Sequence, residues 1–130
     1  MGEEKLKKCV DVGGSGILAN LDATAIAAAI KNKDFTIKEA VDCVADRIGH
    51  TEPSLNALVT SNFNPNLSSV SSEGVFGGVP IFIKDLVKVK GFPTLQGSRG
   101  IPEIIATKNE KVMDHIAATG GIAFGKSTMR

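Results

Sequence analysis

The sequence predicts an α/β protein, in which helices pack in layers against a β-sheet. Segments with apolar residues at helical spacing alternate along the chain with short runs of β-branched and aromatic residues. Glycine, proline, asparagine or a capping residue marks most of the changes between them. At 130 residues the chain has the length of one domain with a modest core of its own.

The N-terminal part is expected to be a lead-in followed by a first helix. Residues 1–20 are polar and then rich in glycine, with Gly13–Gly16 as a flexible joint, so the domain is expected over residues 21–130. An alanine-rich segment over Ala23–Lys31 predicts a helix, and Asp22 before it is a suitable N-cap.

The second helix carries the strongest local signal in the chain. Thr36 and Glu39 have the T-x-x-E spacing of a capping box, in which each side chain accepts a free amide of the first turn. One apolar stripe follows, and Gly49 is expected to end the helix in a left-handed conformation. A short strand over Ala57–Thr60 and a polar loop over Ser61–Glu73 come next.

The C-terminal half predicts strands around one further helix. Val79–Ile83 is a β-branched and aromatic run, and Val87–Lys90 alternates apolar and basic residues as a second strand would. Thr107–Glu110 repeats the capping-box spacing before a helix that stops at Gly120 and Gly121. Ile122–Phe124 then predicts a buried strand, at which an open sheet would leave an unpaired edge.

Composition and charge exclude several classes of function. The net charge is only +1, and the one basic cluster, Lys5–Lys8, lies beside Glu3 and Glu4 as a solvated end, so neither nucleic acid nor an anionic membrane is expected as a partner. The longest apolar run, Ala25–Ile30, is far too short to span a bilayer. Cys9 and Cys43 form no disulfide framework or metal pattern, so we expect reduced thiols and a cytoplasmic location.

One segment in the middle of the chain indicates a family. Gly77–Asp85 reads as glycine, valine, proline and an apolar run ending in Lys84 and Asp85, and Gly91–Thr94 and Gly97–Arg99 follow it. This order resembles the amidase-signature family, as does the later Gly125–Met129 passage. The likeness covers roughly residues 20 to 130.

The resemblance implies both a fold and a reaction. The fold is the N-terminal part of the amidase-signature fold, with helices packed on a mixed central β-sheet. The reaction is hydrolysis of a linear carboxamide by two serines and a lysine, one serine on a cis peptide bond, with no metal or organic cofactor. Lys84 holds the position of that lysine, and both serines are expected beyond residue 130. The chain is therefore expected to be a truncated fragment that is inactive alone.

Lys84 is the catalytic residue that this resemblance predicts. It must be neutral for part of the cycle to accept a proton, and an apolar setting from Ile81–Ile83 would favour the neutral amine. The alternative is a lysine at a strand end that reaches solvent and pairs with Asp85. Ser98, Ser71 and Ser72 are not expected to be nucleophiles: Ser98 matches a family serine outside the triad, and the other two lie in a polar loop.

Other readings remain open at this point. Within the family, the alternative is the glutamine-hydrolysing subunit of a transfer-RNA-dependent amidotransferase. Outside catalysis, the chain is a truncated interaction protein. Expected partners are a small-molecule amide for the complete enzyme, a complementing C-terminal chain, or a second copy. Gly120–Ser127 fits the phosphate-binding P-loop pattern, but its middle reads as strand, so nucleotide binding is not expected. His50 and His115 stand alone, and no metal site is expected.

Overall fold

The computed structural model describes residues 16–129, so Cys9 and most of the expected Gly13–Gly16 joint lie outside the described residues. Six elements follow one another in this part of the chain. They are α1 (Ala23–Lys31), α2 (Ile37–Leu55), β1 (Leu58–Ser61), β2 (Pro80–Lys84), α3 (Lys111–Ala118) and β3 (Ile122–Ser127). The α/β class is confirmed.

The sheet is mixed, and its last strand lies in the middle. Its strand order is β1-β3-β2, with β3 antiparallel to β1 and parallel to β2. The expectation that the sheet ends at the strand beginning with Ile122 was wrong. Its edges are β1 and β2, because the polypeptide returns through α3 and inserts β3 between them.

The starts of the two N-terminal helices are confirmed. Asp22 accepts a hydrogen bond from the Ala25 amide at 2.8 Å, which caps α1. Thr36 and Glu39 form the capping box: the Glu39 carboxylate accepts the Thr36 amide at 2.7 Å, and Thr36 Oγ1 accepts the Glu39 amide at 3.2 Å. These bonds favour the ionised carboxylate, and so the Thr36 backbone and side-chain hydrogen bonds lower the pKa of Glu39.

The end of α2 differs from the prediction. Gly49 is an interior residue of the helix, which continues to Leu55. A methyl group at Gly49 would meet nothing within 4 Å, so the glycine faces open space and the helix passes through it. Asn56 is instead the left-handed C-cap, at φ 47°, and its amide donates to the Glu52 carbonyl. His50, expected after the helix end, consequently lies within the helix.

The two faces of the sheet pack against different helices. On one face Ile122 and Phe124 join Val41 and Ile48 of α2. On the other, Ile83 packs with Met113 of α3 in a cluster completed by buried residues of the connecting segment, Val89 and Phe92. The arrangement is three layers: helix, sheet, then helix with loop.

α1 does not reach the sheet but packs on the outer side of α2. Its Ile30 is buried against Ala40 and against Leu18, which belongs to the expected lead-in. Leu18 is only 7% exposed, so it contributes to the hydrophobic core.

Two further local predictions were wrong. Val87–Lys90 forms no strand, because two of its amides bond to side chains rather than to a strand: the Lys88 amide donates to the Glu110 carboxylate at 3.1 Å and the Lys90 amide to Asn109 Oδ1 at 2.8 Å. Glu110, occupied in this way, is itself the N-cap position of α3 and makes no side-chain capping bond. The spacing from Thr107 therefore does not form a capping box.

The remaining strand and loop predictions are confirmed, with every strand end within three residues of its predicted position. β1 and β2 lie where short apolar strands were expected, and β3 extends the predicted strand to Ser127. The segment after β1 has no helix or strand before β2. Among the described residues, no helix is both long enough and apolar enough to cross a bilayer.

Candidate active site

Lys84 is the last residue of β2 and lies on the α2 side of the sheet. The ring of Phe82 contacts that of Phe124 on this side, with centroids 5.9 Å apart. Side chains alternate along a strand, so Lys84 shares the face of Phe82, whereas Ile81 and Ile83 belong to the opposite cluster. The Lys84 side chain is exposed. Of the three residues expected to surround it with apolar groups, two point to the other face.

An irregularity in β3 decides where its lysine points. Along β2, Ile81 pairs with Ala123 but Phe82 pairs with Gly125, so Phe124 is an extra residue in β3. A bulge of this kind exchanges the faces of the residues that follow it. Lys126 therefore pairs with Ile83 and shares its face, although strict alternation from Phe124 would place it on the α2 side.

On that face Lys126 and Asp85 form a buried ion pair. Lys126 Nζ lies 3.3 Å from Asp85 Oδ1, and the side chains are only 1% and 0% exposed. The ammonium also donates to the Pro93 carbonyl at 3.2 Å and to Thr94 Oγ1 at 3.1 Å. The Asp85 carboxylate accepts the Leu95 amide at 3.2 Å. The ammonium thus has one carboxylate partner and two hydrogen-bond acceptors, and no buried side-chain polar atom of the described residues lacks a partner.

A cavity of about 480 Å³ opens at this end of the sheet. Its lining includes Asp85 after β2, Thr128 after β3, and three residues of the segment between β2 and α3, which are Leu95, Ser98 and Arg99. It lies beyond the carboxyl ends of the parallel strands β2 and β3, which is where open α/β sheets bind ligands. The rest of the lining includes the apolar Leu58, Val59 and Ile101, so the wall is largely apolar with a few polar and charged groups, as is common in small-molecule sites.

The structure gives local roles to the serines that were set aside. Ser98 Oγ accepts the Gly100 amide at 3.1 Å, and Ser71 Oγ accepts the Glu73 amide at 3.1 Å. Ser98 is exposed and lines the cavity. Each of these two hydroxyls caps a turn two residues ahead, which is a common structural use of serine.

The P-loop reading of Gly120–Ser127 does not match the geometry. Its last six residues are strand β3, not a loop that presents amides to phosphate. Its lysine, Lys126, is buried, forms an ion pair with Asp85, and donates hydrogen bonds to the Pro93 carbonyl and Thr94 Oγ1. Neither the backbone nor the lysine is therefore available for a nucleotide.

The histidines lie apart from Lys84. His50 is exposed on α2, 3.8 Å from Asp46 one turn earlier, and His115 is exposed on α3. Within residues 16–129, no three histidine, cysteine, aspartate or glutamate side chains cluster as metal ligands would. Cys43 is a half-buried free thiol.

The sequence prediction missed the Asp85–Lys126 pair. Asp85 was considered as a partner of Lys84, and Lys126 as part of the family passage Gly125–Met129 and of the P-loop pattern, but the two were not expected to pair. A signal existed, because Lys126 closely follows the buried strand predicted over Ile122–Phe124, and a lysine that is buried there requires a partner. Its identity could not be read, because it depends on the bulge.

A sequence model described as Amidase matches residues 39–130, about seven-tenths of the chain. The chain belongs to the amidase family. The match contains Lys84 as well as both members of the ion pair, and so the geometry at the end of β2 belongs to the family region of the chain.

Curated relatives of the chain are amidases and amidotransferase subunits. An acylamidase of Rhodococcus erythropolis is 30% identical over 117 residues, which cover 82% of this chain and 24% of the relative. A glutamyl-tRNA(Gln) amidotransferase subunit of Lachnoclostridium phytofermentans is 28% identical over 123 residues, covering 86% and 25%. The chain thus spans about a quarter of the length of the curated relatives it matches.

Solved structures confirm the fold. A 6-aminohexanoate cyclic dimer hydrolase superposes with a TM-score of 0.75 at 23% identity, over 82% of this chain and 23% of that one. The peptide amidase of Stenotrophomonas maltophilia gives 0.72 at 18% identity, over 85% and 25%. The helices and mixed sheet described above are therefore those of the amidase-signature fold.

Proposed function

We propose that this chain supplies the lysine-bearing part of an amide-hydrolysing site, with Lys84 as the proton acceptor. The observation that carries the proposal is family membership combined with the position of Lys84, at the carboxyl end of a strand with its side chain exposed. The carboxylate next to it in sequence is already bound to Lys126, so Asp85 does not pair with Lys84.

In the proposed reaction, neutral Lys84 takes a proton from a bridging serine, which takes one from the nucleophilic serine as it attacks the amide carbon. The proton returns to the departing amine when the C–N bond breaks. Water then hydrolyses the acyl-serine to the carboxylic acid and restores the enzyme. We propose that both serines lie outside these 130 residues, because each of the relatives above is about four times as long as the matched region.

It follows that the 130 residues alone should not turn over an amide. The proposed domain over residues 21–130 would need a complementing C-terminal chain, or a longer protein of which it is part. The free Cys43 thiol fits a reducing compartment, and we propose a cytoplasmic location.

A chimera tests the role of Lys84. Residues 16–129 replace the matching quarter of the Rhodococcus erythropolis acylamidase, and hydrolysis of a simple aromatic amide is measured. Lys84→Ala should lower kcat by about 10²–10⁴-fold, the usual contribution of a general base. Lys90→Ala, a change at another exposed lysine, is the matched control and should leave kcat unchanged.

Two results would contradict the proposal. Equal activity of the Lys84→Ala chimera and its parent would remove Lys84 from the chemistry. A folded parent chimera without any activity would favour the non-catalytic interaction protein instead.

The second candidate is the glutaminase subunit of an amidotransferase. The match to the Lachnoclostridium phytofermentans protein covers 86% of this chain, as much as any amidase match described above. The sequence of Gln96–Arg99 resembles that of general amidases more closely, and so this candidate ranks second. Glutamine hydrolysis that appears only with partner subunits and charged transfer RNA, in a chimera with that amidotransferase protein, would reverse the order.

A further inference from the structure

The buried pair of Asp85 and Lys126 calls for an explanation beyond stability. Removing two charges from water is costly, and the attraction between them repays this only when every remaining hydrogen bond is made. Well-packed apolar residues in place of such a pair often leave a protein equally stable or more stable. A fully buried pair at 3.3 Å is therefore weak support for a stabilising role.

The pair instead connects three segments of backbone. Asp85 follows β2, Lys126 is in β3, and the atoms that both contact belong to the turn at residues 93–95. The hydrogen bonds span 10 residues from Asp85 to Leu95 and 33 from Pro93 to Lys126. The charges thus tie a long connecting segment to the end of the sheet.

Lys84 directly precedes Asp85, and its backbone belongs to one of the three connected segments. Its carbonyl accepts the Leu86 amide at 2.7 Å and the Val87 amide at 3.1 Å, which closes the turn after β2. The next amide, that of Asp85, donates to the Ser127 carbonyl at 3.0 Å. The backbone after Lys84 is therefore bound to β3. This bond joins the amide of Asp85 to the residue that follows Lys126.

The same tie fixes one wall of the cavity. The Ser98 amide donates to the Leu95 carbonyl at 2.9 Å, and Leu95 is held in turn by the Asp85 carboxylate. Gln96, between them, has a positive φ of 51°, a conformation that a non-glycine residue keeps only when its surroundings hold it.

We propose that Asp85 and Lys126 are positioning residues for the reaction: they fix the direction from which Lys84 projects and the wall of the cavity at residues 95–99. This inference rests on the proposed role of Lys84. The charges themselves take no part in proton transfer, since both lie on the face opposite Lys84. Their function is to select one arrangement of three segments that apolar side chains would leave loose.

The test uses the full 130-residue chain and native-state hydrogen exchange. In the double variant Asp85→Leu with Lys126→Met, protection of the Leu86, Val87 and Ser98 amides should fall at least about tenfold relative to the Val41 amide of α2. The Tm should stay within about 5 °C of the wild type, whereas each single variant should lose about 10 °C or more by leaving one buried charge. The exposed Lys38–Asp42 pair, changed to Met and Leu, is the matched control and should alter neither quantity.

Protection at the three amides that is unchanged, or that falls only in parallel with Val41, would overturn the inference. If the double variant does not fold, Thr94→Val decides by the same ratio, since it removes one acceptor of Lys126 and leaves the charges in place. A local loss of protection in that variant supports the inference, and its absence overturns it.

Kinetics in the acylamidase chimera separate this inference from the proposed function. The double variant should lower kcat about 100-fold, and it should cause no further loss of kcat in the Lys84→Ala background. A Lys84→Ala chimera with full activity refutes the role of Lys84. The hydrogen-exchange result still tests whether the Asp85–Lys126 pair holds the three backbone segments together. Additive losses in the combined variant refute positioning through Lys84 alone.

Discussion

Replacing Gly125 with alanine should disturb the bulge that directs Lys126. Gly125 pairs with Phe82 and is fully enclosed between β1 and β2. A methyl group there would lie 2.7 Å from the Thr60 carbonyl oxygen and 3.2 Å from Ser61 Cα, both of them backbone atoms of β1. Carbon–oxygen contacts in sheets are ordinarily about 3.3 Å or longer, so β1 would have to move by about 0.6 Å.

The expected loss of stability follows from that movement. Inserting a methyl group where backbone must shift costs about 1–3 kcal/mol. At about 4 °C per kcal/mol for a domain of this size, the Tm should fall by about 4–12 °C. Thermal unfolding followed by circular dichroism, together with urea unfolding at 25 °C, measures both quantities.

Gly49→Ala is the matched control, because it adds the same methyl group in open space. Gly49 lies inside α2, where alanine favours the helix by about 0.5–1 kcal/mol, and so this variant should be more stable than the wild type. A Gly125→Ala protein within about 0.5 kcal/mol of the wild type would refute the reasoning, since the approach of β1 to β3 would then be slack.

Five other substitutions test the packing and the caps. Thr36→Ala should cost about 1 kcal/mol in urea unfolding by removing the cap of α2. Because folding lowers the pKa of Glu39 below its ordinary 4.5, its ionised form stabilises the fold above that pH, and the stability difference between wild type and Glu39→Gln should disappear as pH falls through the lowered value. Phe124→Ala, at a side chain with 0% exposure, should cost about 3–5 kcal/mol, whereas Phe63→Ala, at a 45% exposed ring that contacts it edge-on, should cost about 1 kcal/mol. Gly120→Ala should unfold more easily than the wild type on heating, because a methyl group there meets Gly77 Cα at 2.7 Å and φ is 88°.

Features set by neighbouring residues were predictable from the sequence. The start of α1 at Asp22 and the capping box of Thr36 and Glu39 each depend on atoms three residues apart, and both formed as expected. The errors at Gly49 and Thr107 share one cause, because in both places another residue outweighs a local preference. Each residue carries a correct local preference, but Asn56 supplies the left-handed end of α2, and the Glu110 side chain is taken by the distant Lys88 amide.

Features set by distant residues were not predictable in this way. Nothing near Ile122 in sequence shows that β3 will lie between β1 and β2, since that order depends on pairing with residues about 40 and 65 positions earlier. The bulge at Phe124 is of the same kind, because it exists only relative to the register of β2. The position of Lys84 at the end of a strand was predictable, whereas the face on which Lys126 lies was not.

The bulge also explains how one short sheet carries two lysines on opposite faces. Without the extra residue, Lys126 would lie on the α2 face beside the phenylalanine rings, which is also the face of Lys84. With it, Lys126 turns to the other side and takes Asp85 as its partner, so the carboxylate next to Lys84 in sequence is already satisfied. A single inserted residue in β3 therefore places Lys126, proposed to position the site, and Lys84, proposed to act in it, on opposite faces of the sheet.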